Sequence, residues 1–110
     1  MHIDQVRRFA LSLPETTEAP HFTYSSFRVQ GNIFVTVPPE GTHIHVFAAD
    51  QEREEALELH SEFVEKLFWG QKVCGVRVML AEAEPEVVHD LVRKAWQRKA
   101  PKAKTRAKFK

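Results

Sequence analysis

The spacing of hydrophobic residues changes twice along this chain, and that change restricts the fold more than any other feature. Near the start, apolar residues recur at intervals of three and four, as in Ile3, Val6 and Ala10. Between residues 22 and 47 the interval falls to two, and after Pro85 it returns to the helical spacing. Helical and strand periods in this order predict an α+β domain.

The middle of the chain predicts an antiparallel meander. An alternating run containing Phe27 and Val29 ends at the pair Gly31-Asn32. A glycine in such a pair indicates a tight hairpin turn because it tolerates positive φ. A third strand is expected over His43–Phe47. The second alternating run, which follows the turn, consists of Ile33, Val35 and Val37.

The remaining segments predict a loop, two more helices and a further strand. Glu15–His21 is polar and contains a proline, which is typical of a loop. Asp50 is a suitable N-cap for a surface helix that ends near His60. The aromatic run 63–69 is expected to close the core, and an alternating strand follows it. Pro85 suits the first turn of the last helix.

The order of these segments predicts an antiparallel sheet of four to six strands with three helices, mainly on one face. The length of 110 residues suits one domain, which we place at residues 1–100. Pro101 is expected to end the last helix. We expect residues 101–110, which are rich in bases, to form a disordered tail.

Composition excludes several classes of protein. A single cysteine, Cys74, excludes a disulfide framework and a Cys-rich zinc site. No apolar run approaches the ~20 residues of a membrane span, and the first residues do not have the pattern of a signal peptide. We therefore expect a cytoplasmic protein with no membrane partner, either a monomer or a weak homodimer.

The charges are distributed very unevenly along the chain. Residues 1–92 contain 15 acidic and seven basic residues, a formal charge of −8. Residues 93–110 contain nine basic residues and no acidic one, a formal charge of +9. This segregation is typical of a basic arm that binds polyanions. The alternative is that the bases complement a helix dipole, keep the protein soluble or lie against the acidic body of the same domain.

No arrangement of residues predicts catalysis or a cofactor. The four glycines stand apart, and no serine lies in a nucleophile motif. His43 and His45 would project from the same strand face, but a metal would need a third ligand such as His21 or His60. We therefore expect His43 and His45 to be surface residues, and the protein to be a non-enzymatic one without a metal or cofactor.

Nucleic-acid binding is the remaining class, since it requires cations and exposed aromatic rings. Arg28 is expected on the polar face of the hairpin, and Lys72 and Arg77 flank the late strand. Core packing accounts for Trp69 and Phe34 more economically than base stacking does. The candidate phosphate contacts are Arg28, Lys72, Arg77, Arg93, Lys94, Arg98, Lys99, Lys102, Lys104 and Arg106.

Several motifs resemble the MmcQ/YjbR-like family over about residues 3–102. Leu13-Pro14-Glu15 and the run from Ser26 to Phe34 are similar to that family's "LPG…FRVxGKxFA" pattern. The closing pattern "VRL…AW…APK" is matched by Arg77-Val78-Met79-Leu80, Ala95-Trp96 and Ala100-Pro101-Lys102.

The resemblance implies a frataxin/CyaY-like fold, in which helices pack on one side of an antiparallel sheet. Members of the family are labelled DNA-binding through a double wing of hairpins, and no catalytic or cofactor residues come with the family. Arg28 carries over, whereas Asn32 stands where many members have lysine. The approach to the late strand, residues 68–75, also departs from the family pattern.

Two functions follow as expectations. The first is weak DNA binding that is largely independent of sequence. The second is a protein- or ligand-interaction module with no nucleic-acid role. The second predicts an apolar groove lined by residues such as Trp69 and Phe47, on a body that is mainly negative.

Overall fold

The structure, a computed structural model, describes residues 1–100 and confirms the predicted α+β class. The helices are α1 (Ile3–Ser12), α2 (Asp50–Leu59) and α3 (Pro85–Lys99), with a short 3-10 helix at Leu80–Glu82. The strands are β1 (Thr16–His21), β2 (Tyr24–Val29), β3 (Asn32–Val37), β4 (His43–Val46), β5 (Val64–Trp69) and β6 (Lys72–Met79). They form one antiparallel sheet in the order β1-β2-β3-β4-β6-β5.

Helix α3 packs against the central strands of the sheet, and α1 packs against α3 and the edge strand β1. A capping box starts α1: the His2 side chain accepts from the Asp4 amide, and Gln5 accepts from the His2 amide. Pro85 occupies the first turn of α3, as expected. The buried stripe of α3 consists of Val88, Leu91, Val92 and Ala95.

Helix α2 lies on the surface beside β5 and β6, as predicted. Ala56 is the one buried residue within Asp50–Leu59. The N-cap is Ala49 rather than Asp50, which is the first helical residue and makes no side-chain cap. A carboxylate in the first turn still interacts favourably with the helix dipole. Within the described part of the chain, no helix is long and apolar enough to cross a membrane.

The segment predicted as a loop is in fact edge strand β1. It pairs only with β2 along its whole length, from Thr16 opposite Val29 to His21 opposite Tyr24. Pro20 is compatible with this position because an edge strand needs hydrogen bonds on one side only. The polar composition that indicated a loop reflects the partial exposure of this edge strand.

The first predicted hairpin turn is displaced by one residue. Its central residues are Gln30 and Gly31, which both have positive φ (47° and 83°), as a type I′ turn requires. Asn32 therefore belongs to β3, and its Nδ2 donates a 3.1 Å hydrogen bond to the carbonyl oxygen of Lys99. Asn32 thus contacts the last turn of α3.

A β-bulge interrupts the predicted alternation in β3. Val35 lies opposite Phe27, but Ile33 lies opposite Arg28, so that Phe34 is an extra residue in the ladder. Phe34 and Val35 are consequently both buried completely. Ile33 is only partly buried and lines a groove on the other face of the sheet.

Cross-strand pairing defines two faces of the sheet. Phe27, Val35, Val46 and Val76 form one continuous row, and all four are fully buried against the helices. The neighbouring row, on the opposite face, consists of Ser26, Thr36, His45 and Arg77. We refer to this second face, which the helices do not cover, as the open face.

Candidate nucleic-acid interface

Three large aromatic side chains are exposed at two hairpins on opposite edges of the sheet. Phe22, in the turn between β1 and β2, is 92% exposed. Phe68 and Trp69, at the end of β5, are 58% and 83% exposed. Each of them lines a groove on the open face.

The prediction that residues 63–69 close the core is therefore only half correct. Phe63 and Val64 are buried, as expected, but Phe68 and Trp69 are not. Trp69 directly precedes the two-residue turn Gly70-Gln71, and Gly70 has a φ of 64°. Glycine followed by any residue between two strand-like runs is a recognised hairpin signal. That signal was available in the sequence and would have placed Trp69 at the tip of a hairpin.

The groove has a volume of about 1120 Å³ and extends from the β1–β2 turn to the β5–β6 turn. Tyr24, Thr36 and His45 contribute polar lining near its middle. Its apolar lining comes from Phe22, Ile33, Phe47, Phe68 and Trp69. The combination leaves a long open channel in which flat, apolar groups are accessible to a ligand.

Three of the predicted cations converge on one end of this groove. Lys72 follows the β5–β6 turn and is paired directly with Trp69 in the ladder. Arg98 and Lys99 occupy the last turn of α3 and line the same groove. Because Val46 pairs with Val76 in antiparallel strands, the end of β4 and the start of β6 lie at the same end of the sheet. Arg98 Nη1 donates a 2.8 Å hydrogen bond to the carbonyl oxygen of Phe47 in the groove wall. Residues from distant parts of the sequence thus form one basic end, defined here as Lys72, Arg98 and Lys99.

Arg28 also lies on the open face, with neutral partners. Its Nε donates to the Ser26 hydroxyl at 3.0 Å, and its Nη2 donates to the carbonyl oxygen of Pro20 at 3.3 Å. Arg77 lies farther along the sheet, and its Nε is 3.5 Å from Glu65 Oε1 on β5. The charge of Arg77 is therefore largely compensated, whereas that of Arg28 is not.

Two other predicted cations lie away from the groove. Arg93 Nη2 is 2.8 Å from one carboxylate oxygen of Asp90, and Lys94 Nζ is 3.1 Å from the other. The hydrogen bond to Asp90 raises the pKa of Lys94. Lys94 lines a separate groove with the acids Glu52, Glu55, Glu86 and Asp90. The predicted contacts Lys102, Lys104 and Arg106 fall outside the described residues.

His43 is buried, contrary to expectation, and His45 is only partly exposed. His43 is only 8% exposed, and His45 Nδ1 is 3.2 Å from the Thr36 hydroxyl. Burial, followed by the neighbouring His43 and Arg77, lowers the pKa of His45 to about 4. Burial, followed by Arg77, also lowers the pKa of His43. Both rings are therefore neutral at pH 7 and add no positive charge to the open face.

The sequence left His21 and His60 as candidates for a third metal ligand. Among residues 1–100, neither of them forms a ligand group with His43 and His45. The ring centroids of His43 and His45 are 5.3 Å apart. Within residues 1–100, the group of three potential metal ligands that lie close together is His60, Glu62 and Glu84, at the ends of α2 and α3. His60 therefore lies with two exposed carboxylates and not with His43 and His45.

Comparisons with known proteins agree with this architecture. The sequence model of the YjbR family matches residues 11–98. The fold is similar to the crystal structure of the Deinococcus radiodurans protein DR2400, described as a DUF419 domain, with a TM-score of 0.74 and 17% sequence identity. The match covers 86% of this chain and 75% of that one. No curated protein matches the sequence.

Proposed function

The chain belongs to the YjbR family, and from that premise we propose that it binds DNA weakly and largely without sequence preference. The binding surface is the open face of the sheet, with the β1–β2 and β5–β6 hairpins as the two wings. Lys72, Arg98 and Lys99 contact phosphates, and Arg28 adds a further contact. The role proposed is binding and not catalysis.

The convergence of Lys72, Arg98 and Lys99 beside one groove is the observation that supports this function best. Lysine and arginine contacts to phosphates provide most of the affinity of nonspecific DNA binders. The described residues end at Ala100, directly after this basic end. The bases of residues 101–110, including Lys102, Lys104 and Arg106, follow Ala100 directly in the sequence.

The formal charge of −8 over residues 1–92 does not oppose binding at this surface. Many of the acids lie on α2 and at the start of α3, around the separate groove that Lys94 lines. Two acids near the open face have a cation beside them: Asp50 lies 2.9 Å from Arg53, which also contacts Glu54, and Glu65 lies 3.5 Å from Arg77. Because exposed charges are screened beyond ~10 Å, the remote acids repel a DNA backbone at this groove only weakly.

Titration of a labelled duplex at several salt concentrations tests the proposal. If about three phosphates are neutralised at the basic end, log K falls with log salt at a slope near −2.7, and more steeply when the tail contributes. Removal of residues 101–110 should weaken binding without abolishing it. Absence of binding to any nucleic acid at low salt would contradict the proposal.

The groove also supports the second function, an interaction module for a protein or small ligand. It has the predicted apolar lining, which includes Trp69 and Phe47. The basic end distinguishes the two functions, because an uncharged partner would gain little from Lys72 and Arg98. A partner whose affinity is unchanged between low and high salt, together with no response to nucleic acid, would favour this second function.

A further inference from the structure

The exposed aromatic rings indicate which kind of nucleic acid the groove accepts. Resting on the function proposed above, we infer that the open face binds single-stranded nucleic acid, with Trp69, Phe68 and Phe22 stacking on unpaired bases. Single strands expose the flat faces of their bases, whereas a duplex covers them by stacking. A duplex needs only the cations of this surface, but a single strand uses both the cations and the rings.

The positions of the rings are unusual for a domain of this size. Small domains generally use large aromatic side chains to build the core, yet Phe22 and Trp69 are 92% and 83% exposed. The other large hydrophobic residues with high exposure in the described chain, Leu11 and Leu59, lie on α1 and α2 and do not line the groove. The three exposed rings thus belong to residues that all line the groove.

The backbone at Phe22 strengthens the inference. Phe22 has a φ of 59°, in the left-handed region that favours glycine and is costly for a bulky residue. Its ring contacts His21 edge-on at a centroid distance of 4.8 Å, and most of its surface remains in solvent. A strained, exposed aromatic residue at a hairpin tip is better explained by a ligand than by stability.

Cations and rings are also interleaved as single strands require. Lys72 lies directly opposite Trp69 in the β5–β6 ladder, and Arg98 lies beside Phe47. The two hairpins lie at opposite edges of a six-stranded sheet, so that five interstrand spacings of ~4.8 Å separate the outer strands. A strand of several nucleotides can therefore cross the groove with its bases on rings at both ends and its phosphates at the basic end.

Fluorescence anisotropy with two labelled probes tests this inference. The probes are an oligothymidine of about 12 nucleotides, within the ~4–16-nucleotide range of single-strand-binding folds, and a mixed-sequence duplex of equal length, at the same low salt. Single-strand binding should be about 5-fold tighter or more. Trp69→Ala should weaken it about 5- to 100-fold, Trp69→Phe should retain most of it, and the duplex affinity should change little.

Leu59→Ala is the matched control, because Leu59 is 61% exposed at the end of α2 and is not among the residues that line the groove. It should bind both probes like the unaltered protein. If the duplex binds as tightly as the single strand, or if Trp69→Ala leaves oligothymidine binding unchanged, this inference is overturned while the proposed function stands. If neither probe binds, the proposed function fails and this inference fails with it.

Discussion

Arg98, in the last turn of α3, donates a 2.8 Å hydrogen bond from Nη1 to the carbonyl oxygen of Phe47, just beyond β4. The two residues are 51 positions apart in the chain. This contact attaches the end of α3 to the wall of the open-face groove. Arg98 lines that groove together with Lys72 and the exposed Trp69.

The first prediction compares two pairs of cations that sequence alone could not distinguish. The double variant Lys72→Gln/Arg98→Gln should flatten the slope of log K against log salt by about two, since each lost phosphate contact removes ~0.9 for a duplex. The control is the double variant Arg93→Gln/Lys94→Gln, which makes the same change in charge. Its two residues lie away from the groove and pair with Asp90. It should leave the slope unchanged, and equal effects of the two double variants would contradict the assignment.

The second prediction is a gain of affinity. Asn32→Lys adds a cation beside Lys99, because Asn32 lines the groove and contacts the Lys99 carbonyl oxygen. Nucleic-acid binding should become tighter at low salt, and the salt slope should steepen by ~0.7–0.9. Ser61→Lys, an equal change in charge at an exposed turn after α2, should have no such effect. A similar gain for both variants would indicate that affinity depends on the net charge of the protein and not on the position of the added lysine.

The third prediction separates strain from stacking at Phe22. Glycine accepts the φ of 59° there, whereas alanine does not. Phe22→Gly should therefore raise the free energy of unfolding by about 1 kcal/mol relative to Phe22→Ala. Both variants should bind oligothymidine more weakly than the unaltered protein. Chemical denaturation measures the stability, and equal stability of the two variants would argue against strain at this turn.

The fourth prediction concerns pH and His45. Its pKa is about 4 in the folded protein, against an ordinary value of 6.5. The unfolded chain therefore binds a proton more readily than the folded one between these values, and stability falls as pH decreases through that window. Between pH 7 and pH 5 the unaltered protein should lose ~1–2 kcal/mol at this site, with His43 adding to the loss.

His45→Gln should reduce that loss of stability, as measured by urea unfolding at the two pH values. Glu18 does not interfere in this window. Although burial alone would raise the pKa of Glu18, hydrogen bonds from Arg7 and Ser25 hold it below its usual value. The stability that Glu18 contributes is lost only at lower pH. An unchanged pH dependence in His45→Gln would assign the effect to another group.

The fifth prediction contrasts two glycines. A Cβ added at Gly75 would lie 2.2 Å from the carbonyl oxygen of Val46 on the adjacent strand, so Gly75→Ala forces β4 and β6 apart. We expect it to cost about 3 kcal/mol or more. At Gly31 the added Cβ meets no atom within 4 Å but the φ is 83°, so Gly31→Ala should cost only ~1 kcal/mol. Equal losses in thermal denaturation would contradict the steric explanation.

The periodicity of the sequence determined the class of fold and most of the elements. The helical spacing of Val88, Leu91 and Val92 and the alternation of Phe27 and Val29 are local patterns, and α3 and β2 bury the apolar residues that these patterns define. Edge strand β1 escaped prediction because an edge strand needs no continuous apolar face. Because β1 is partly exposed to solvent, its sequence is polar and resembles that of a loop.

The composition of the open-face groove depended on contacts between residues that are distant in the sequence, and no local pattern contains such contacts. Sequence gave no means of choosing Lys72 and Arg98 over Arg93 and Lys94, because helix direction and sheet order decide which cations share a groove and which pair with Asp90. Burial of His45 likewise arises from neighbours on other strands. Local residue order determines the period of each element, but the electrostatics of the open face depend on distances between residues remote in the chain.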